Sequence, residues 1–234
     1  YIEIKMLPLS FKEYISVKGE SDLSRKYRDY LTKSSFPYTL ELSRSKDIHS
    51  YLDGIYSSIV LKDIVARKKI ADAAMLENVI RFMFDNIGNP CSTTKIANTL
   101  KSSGHNISVH TVENYLKALC ESFVLYKADR YDIKGKQYLR SGAKYYVADI
   151  GLRYYLLGQK PADLGHILEN VVYLELLRRG YEVFVGKSDK SEIDFIAINE
   201  EDTEYYQVAL TVRDEKTLLR ELAPLESVND HNGK

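Results

Sequence analysis

Four polar residues interrupt apolar stretches in the last third of the sequence, and their side chains could do chemistry together: Glu169, Glu192, Asp194 and Gln207. Carboxylate oxygens are hard ligands of the kind that Mg²⁺ prefers. A bound Mg²⁺ can activate a water molecule for in-line attack on a phosphate. Glu169, the pair Glu192 and Asp194, and Gln207 are separated along the chain, so the elements around them must bring them together.

The segment that carries these residues predicts one helix followed by three short strands. Apolar residues recur at helical spacing along 167–177, and Gly180 is placed to end that helix. Three apolar runs typical of β-strands follow, at 181–185, 193–198 and 205–210. This order places Glu169 on the helix, Asp194 on the second strand and Gln207 on the third.

This order of elements, with acids in these places, resembles the core of the PD-(D/E)xK nuclease superfamily. In that superfamily a helix Glu, a strand Asp and a (D/E)xK strand gather Mg²⁺. The lysine polarises the attacking water and steadies the developing charge. The resemblance implies that Glu169 and Asp194 bind Mg²⁺ and are catalytic.

The third motif departs from the superfamily pattern. Gln207 offers a neutral amide oxygen, and Ala209 stands at the position of the lysine. Lys187 or Lys190 could reach in from the preceding loop, and Lys187 is the candidate catalytic helper. Two interpretations follow. The first is a nuclease-like fold that binds a partner without cutting, and the alternative is a metal-dependent phosphodiesterase that uses Gln207 as an unusual third ligand.

The composition of the whole chain excludes several classes of protein. The 234 residues carry 33 basic and 33 acidic side chains, so no global charge attracts nucleic acid or a membrane. No stretch approaches the roughly 20 apolar residues of a membrane span. Two cysteines are too few for a disulfide framework, and no histidine or cysteine spacing suits zinc. These features predict a cytoplasmic protein with no membrane partner.

The middle of the chain predicts a winged helix. Amphipathic helices are expected at 71–87 and 92–104, and Ser108 is placed to begin a third helix. Two β-type runs follow, 124–133 and 138–147, joined by a turn. Helix, helix, turn, helix and hairpin in this order are typical of a winged helix.

The predicted hairpin is basic and rich in tyrosine, which would suit contact with the phosphates of DNA. The alternative is a solvated or protein-docking hairpin whose tyrosines fill an interface. The helix before the hairpin is nearly neutral, which is unlike a helix that reads bases. The candidate nucleic-acid-binding residues are Lys127, Arg130, Lys134, Lys136, Arg140 and Lys144.

Several phrases together resemble the C-terminal part of a bacterial and archaeal family of predicted AAA-type ATPases. They are EIKMLPLSFKEY, LKDIVARKKI, RYDIKGKQYL, KYYVADIGLR and GHILENVVYLELLRRGYEVFVGK, with EIDF and YYQVA. The resemblance implies three parts: an ATPase tail with lid-like helices at 1–62, a winged helix at 63–148, and a nuclease-like α/β domain at 149–234 that is truncated at its C-terminal end.

The resemblance also implies a function and a fold class. This sequence contains no GxxxxGK[ST] phosphate-binding loop, so ATP would bind only through an N-terminal part outside it. The chain would be the region of such an ATPase that binds nucleic acid or another protein. An oligomer could form through the ATPase module. The expected fold is mixed α+β, with a helical and winged-helix part followed by a small nuclease-like α/β domain.

Overall fold

The computed structural model of the chain describes residues 5–19, 21–135, 137–159, 163–188, 191–228 and 233, without the side chains of residues 59, 60, 140 and 141. The fold is mixed α and β, as the sequence predicts. The chain divides into two compact units. The first comprises Tyr1–Asn86, Thr93–Tyr126 and Val147–Gln159, and the second comprises Ile87–Ser92, Lys127–Tyr146 and Lys160–Lys234. These units interleave along the chain, whereas the sequence prediction divided it at residues 62 and 148.

The described part of the first unit is mainly helical. Its elements are α1 (Phe11–Lys18), α2 (Leu23–Thr32), a 3-10 turn (Pro37–Leu40), α3 (Ser45–Ile55), a π-helical segment (Tyr56–Asp63), α4 (Ile64–Lys68), α5 (Ala73–Asp85), α6 (Thr93–Ser102), α7 (Val109–Glu121) and α8 (Ile150–Leu157). The amphipathic face of α5 is fully buried, as its apolar spacing predicts. Ser108 caps α7 by accepting a hydrogen bond from the Thr111 backbone, which confirms the predicted start of that helix.

Asp149 fastens α8 to the end of α2. Its carboxylate is buried and accepts a hydrogen bond from the Leu152 backbone N–H at 2.9 Å, which caps α8. The same carboxylate accepts from the Ser35 backbone N–H at 2.7 Å and from the Ser34 hydroxyl at 3.1 Å. Gly151 permits this approach, because a Cβ there would lie only 2.4 Å from Ser34 Cβ.

The second unit contains a five-stranded sheet. Its strands are β1 (Leu125–Asp132), β2 (Gln137–Val147), β3 (Glu182–Lys187), β4 (Glu192–Ile198) and β5 (Thr203–Tyr206), in the spatial order β2-β1-β3-β4-β5. The β1–β3 pair is parallel, and the β3–β4 and β4–β5 pairs are antiparallel. The hairpin that the sequence assigned to a wing therefore lies at one end of this sheet, where β1 pairs with β3.

Two helices pack on the sheet. Helix α9 (Leu164–Arg178) contacts β3 and β4, and α10 (Glu215–Glu226) contacts β4. The ring of Tyr173, on α9, stacks on Tyr146 of β2 with the centroids 4.3 Å apart, and Phe195 of β4 packs against both. These aromatic contacts fix α9 over the strands that carry Lys144 and Asp194. None of the helices in the described ranges is long and apolar enough to cross a membrane.

Candidate active site

Lys144, on β2, places its ammonium group among three carboxylates. Its Nζ lies 3.0 Å from Glu169 Oε1, 3.0 Å from Glu192 Oε1 and 3.7 Å from Asp194 Oδ1. The Lys144 side chain is only 5% exposed. We call these four residues the Lys144 cluster. The two acids predicted to bind Mg²⁺ are thus brought together, and all members of the cluster belong to the second unit.

The Glu169 carboxylate is held from two sides. The Tyr146 hydroxyl donates a hydrogen bond of 2.6 Å to Glu169 Oε1, and His166 Nδ1 lies 4.0 Å from Oε2. Gly88 leaves room for this arrangement, because a Cβ there would lie 2.9 Å from His166 Nδ1. Glu169 is therefore fixed on its Oε1 side, whereas Oε2 accepts no hydrogen bond within the described residues.

The Asp194 carboxylate is fixed by the chain segment that follows β5. The Val208 backbone N–H donates to Asp194 Oδ2 at 2.8 Å. Gln207 lies just beyond β5, which ends at Tyr206 and is shorter than the predicted strand. The Gln207 amide oxygen accepts from the Asp194 backbone N–H at 3.3 Å, and its nitrogen donates to Glu221 Oε2 at 3.2 Å. The contacts of Gln207 thus join β4 to α10.

Burial and neighbouring charges shift the pKa values at this site. Burial lowers the pKa of Lys144, but the charges of Glu169, Glu192 and Asp194 outweigh it and raise the pKa overall, so the amine stays protonated. Burial and the Glu169 charge raise the pKa of Asp194 to about 6. The same two causes raise the pKa of Tyr146 well above its usual range, which keeps its phenol a donor.

The cluster reaches solvent through Glu192 and Arg130. The Glu192 side chain is 30% exposed and that of Arg130 is 28% exposed. Arg130 Nη2 lies 3.5 Å from Glu192 Oε2. Two residues that the sequence assigned to a DNA-contacting wing, Lys144 and Arg130, therefore lie at the predicted nuclease-like acids.

The other predicted site residues lie elsewhere or outside the described part. Lys127 forms an ion pair of 2.6 Å with Asp129, and Lys134 is exposed in the turn after β1. Lys136, Lys190 and the side chain of Arg140 lie outside the described residues.

Lys187 is in β3 with its Cα opposite that of Glu192, and within the described ranges no ion pair joins Lys187 to the acids of the cluster. The amine beside the acids thus belongs to Lys144, which the sequence reasoning had assigned to DNA contact. A signal for it existed, since Lys144 is a lone cation inside the apolar run AKYYVA.

The donor set suits a hard cation that completes its shell with other oxygens. Among the residues that the structure describes, no group of three His, Cys, Asp or Glu side chains is arranged to hold a metal ion. Mg²⁺ usually binds through one or two carboxylates plus waters and substrate phosphates. Glu169 and Asp194 could serve as these two carboxylates, because hydrogen bonds to Glu169 Oε1 and Asp194 Oδ2 position both side chains.

The fold and the Lys144 cluster define a mixed α and β protein with a buried charged site, and comparison with known proteins gives its family. Residues 24–163 match a family model described as Domain of unknown function (DUF8612), and the chain belongs to this family. The match includes Arg130 and Lys144 and ends before Glu169. No solved structure matches the chain.

Two curated relatives extend over most of this chain. An uncharacterized protein of Haemophilus influenzae is 44% identical over 216 residues, which cover 91% of this chain and 54% of that protein. The uncharacterized protein MJ1544 of Methanocaldococcus jannaschii is 28% identical over 218 residues, which cover 85% of this chain and 48% of that protein. The chain therefore spans about half the length of the curated relatives it matches.

Proposed function

We propose that this chain binds nucleic acid and cleaves phosphodiester bonds at the Lys144 cluster with the help of Mg²⁺. One observation carries the proposal: a buried ammonium lies within 3.0–3.7 Å of three carboxylates, and two of these, Glu169 and Asp194, are the acids at the positions that resemble the nuclease core. Well-packed apolar residues would often be as stable as such a buried ionic group. Perturbed, buried ionisable groups cluster at functional sites.

The charge of the site indicates why a cation is needed. Three carboxylates face the two cations Lys144 and Arg130, which leaves one net negative charge at neutral pH. While Glu192 stays beside the two cations, this charge would repel a phosphodiester. A divalent cation would reverse the sign and attract the substrate to the cluster.

The residues of the chain would have distinct roles in cleavage. When bound by Glu169 and Asp194, Mg²⁺ supplies a polarised water. Lys144 would orient that water and stabilise the negative charge that develops on the phosphate oxygens. The Tyr146 hydroxyl and the Val208 N–H would hold the two acids in place, because they donate to Glu169 Oε1 and Asp194 Oδ2.

Cleavage of a supercoiled plasmid and of a single-stranded oligonucleotide, with Mg²⁺ or Mn²⁺, tests the proposal. Wild-type protein should cut at least one of them, and chelation of the cation should stop the reaction. Lys144→Met and Asp194→Ala should abolish cleavage. Lys187→Met is the matched control and should retain it, because no ion pair within the described ranges joins Lys187 to the acids of the cluster. A wild-type protein that cuts neither substrate with either cation would contradict the proposal.

Binding without cleavage is the second candidate, within a longer AAA-type ATPase. This candidate is favoured by the Lys144 ammonium itself, because it already balances the charge of Glu169 and Asp194, the two acids that would otherwise bind a metal ion. The resemblance to predicted AAA-type ATPases supports the ATPase context, and the greater length of the relatives leaves room in them for such a module. ATP would then bind outside this sequence, and the protein would act in the cytoplasm, as an oligomer, on DNA or another protein. Stable DNA binding with no cutting would select this candidate.

A further inference from the structure

The Glu192 carboxylate lies between two cations at the open side of the Lys144 cluster. Its Oε1 is 3.0 Å from Lys144 Nζ, and its Oε2 is 3.5 Å from Arg130 Nη2. Glu192 is the first residue of β4, and its side chain is 30% exposed. A carboxylate held by an amine on one oxygen and a guanidinium on the other occupies a place that suits a phosphate group.

Arg130 has hydrogen-bonding capacity that this contact does not use. Its Nε is buried and has no hydrogen-bond partner among the described residues. The 3.5 Å contact with Glu192 is also longer than a normal N–H···O hydrogen bond. A buried donor without a partner is costly, so such groups in folded proteins call for an explanation. A ligand that accepts from Nε would remove this cost.

The backbone of β2 makes room for the Arg130 guanidinium. Gly142 has a φ of +84°, and a Cβ there would lie 3.2 Å from Arg130 Nη1 and 3.3 Å from its Cδ. A residue with a side chain would therefore be strained at this position and would crowd Arg130. The absence of a side chain at Gly142 therefore leaves the space that the Arg130 side chain occupies beside the Lys144 cluster.

We propose that Lys144 and Arg130 form a phosphate-binding subsite whose place Glu192 holds until a phosphate group displaces it. This inference rests on the proposed function in one respect, since the phosphate would belong to the substrate backbone. Arg130 would donate from Nε and a terminal nitrogen to two phosphate oxygens, the paired geometry that favours arginine over lysine. The partly exposed Glu192 side chain would turn into solvent.

Binding of inorganic phosphate to the metal-free protein tests the subsite without any cleavage. The Nε–H resonance of Arg130, identified by its loss in Arg130→Lys, should shift as phosphate is added. Arg130→Gln should weaken phosphate binding about tenfold or more, the loss expected for a charge-assisted hydrogen bond. Glu192→Gln should strengthen binding by a similar factor, because the competing carboxylate is gone.

Matched variants on the same unit separate these effects from changes in overall charge. Glu182→Gln, at the exposed start of β3, and Arg213→Gln, in the exposed segment before α10, should leave phosphate affinity unchanged. Arg130→Lys keeps the charge and should give an intermediate affinity, which also provides a reading if Arg130→Gln fails to fold. A wild-type Nε–H that does not shift, or a Glu192→Gln variant that binds phosphate no better, would overturn the subsite.

Plasmid cleavage measured in parallel distinguishes this inference from the proposed function. A protein that binds phosphate with the expected pattern but never cuts DNA contradicts the proposed function and retains the subsite. If the protein cuts DNA, but substitutions of Arg130 and Glu192 leave its phosphate affinity unchanged, the proposed function stands and the subsite is contradicted.

Discussion

Loss of the Lys144 amine would leave two largely buried carboxylates, Glu169 and Asp194, and the partly exposed Glu192 without their shared counter-charge. Breaking a buried ion pair from one side is strongly destabilising, because the remaining charges stay buried and uncompensated. We therefore expect Lys144→Met to lower the free energy of unfolding by about 3–5 kcal/mol at neutral pH, measured by urea denaturation. Lys187→Met, on the neighbouring part of the same sheet, should cost less than about 1 kcal/mol. Equal losses in the two variants would show that the amine is not the counter-charge of the acids.

Asp194 should make stability depend on pH in a particular direction. Burial and the Glu169 charge raise its pKa from 3.8 to about 6 in the folded protein. Between these values the native state binds more protons than the unfolded state, so stability falls as the pH rises through the window. Each unit of pKa corresponds to about 1.4 kcal/mol, so the free energy of unfolding that is lost across this window is at most about 3 kcal/mol.

Asp194→Asn tests this direction because the amide cannot ionise. Relative to the variant, wild-type protein should lose unfolding free energy as the pH rises from about 4 to about 6, and the difference should be constant above that window. Urea denaturation of both proteins at several pH values gives the comparison. A difference that stays flat, or that grows in favour of the wild type, would mean that the Asp194 carboxylate is not disfavoured by burial.

At the scale of elements, Asp149 does more than cap a helix. Its carboxylate accepts from the start of α8 and from two serines that follow α2, and it is buried. Asp149→Ala should therefore lower the free energy of unfolding by about 2–4 kcal/mol, the sum of a lost cap and an unsatisfied buried N–H. Asp72→Ala, which removes an exposed cap from α5 in the same unit, should cost only about 1 kcal/mol. Thermal or urea unfolding of the two variants measures this difference. Equal losses would mean that Asp149 acts only as a helix cap and does not also hold α8 to the segment after α2.

Local signals predicted the elements that local chemistry controls. The Ser108 cap begins α7 where the sequence predicted it, because a cap acts within four residues. The parallel pairing of β1 with β3 has no such signal, since its partners are more than fifty residues apart. The sequence therefore predicted Lys144 to lie in a wing, and it predicted Lys187 to be the lysine beside the acids. The convergence of Glu169 and Asp194, by contrast, followed from a pattern of consecutive elements.

For the whole molecule, a net charge of zero means that DNA binding must come from a local arrangement of charges. The basic hairpin is the predicted surface, and reversing Lys134, Lys136 and Arg140 to Glu should weaken DNA binding. If all three residues contact phosphates, the slope of log affinity against log salt should also become shallower by about three. The reason is that each phosphate contact releases counterions from the DNA on binding, and the variant would lack three such contacts. Fluorescence anisotropy with a labelled duplex at several salt concentrations measures both effects.

The same change of total charge placed elsewhere separates a local surface from general attraction. Lys12, Lys62 and Lys101 are exposed on helices or helical segments of the first unit, and reversing these three to Glu changes the net charge by the same amount. This control should keep the wild-type salt slope, because its lysines lie away from the hairpin in sequence and in the other unit. Equal weakening in both triple variants would mean that DNA responds to total charge. Loss confined to the hairpin variant would place the phosphate contacts on the hairpin whose strands also carry Arg130 and Lys144.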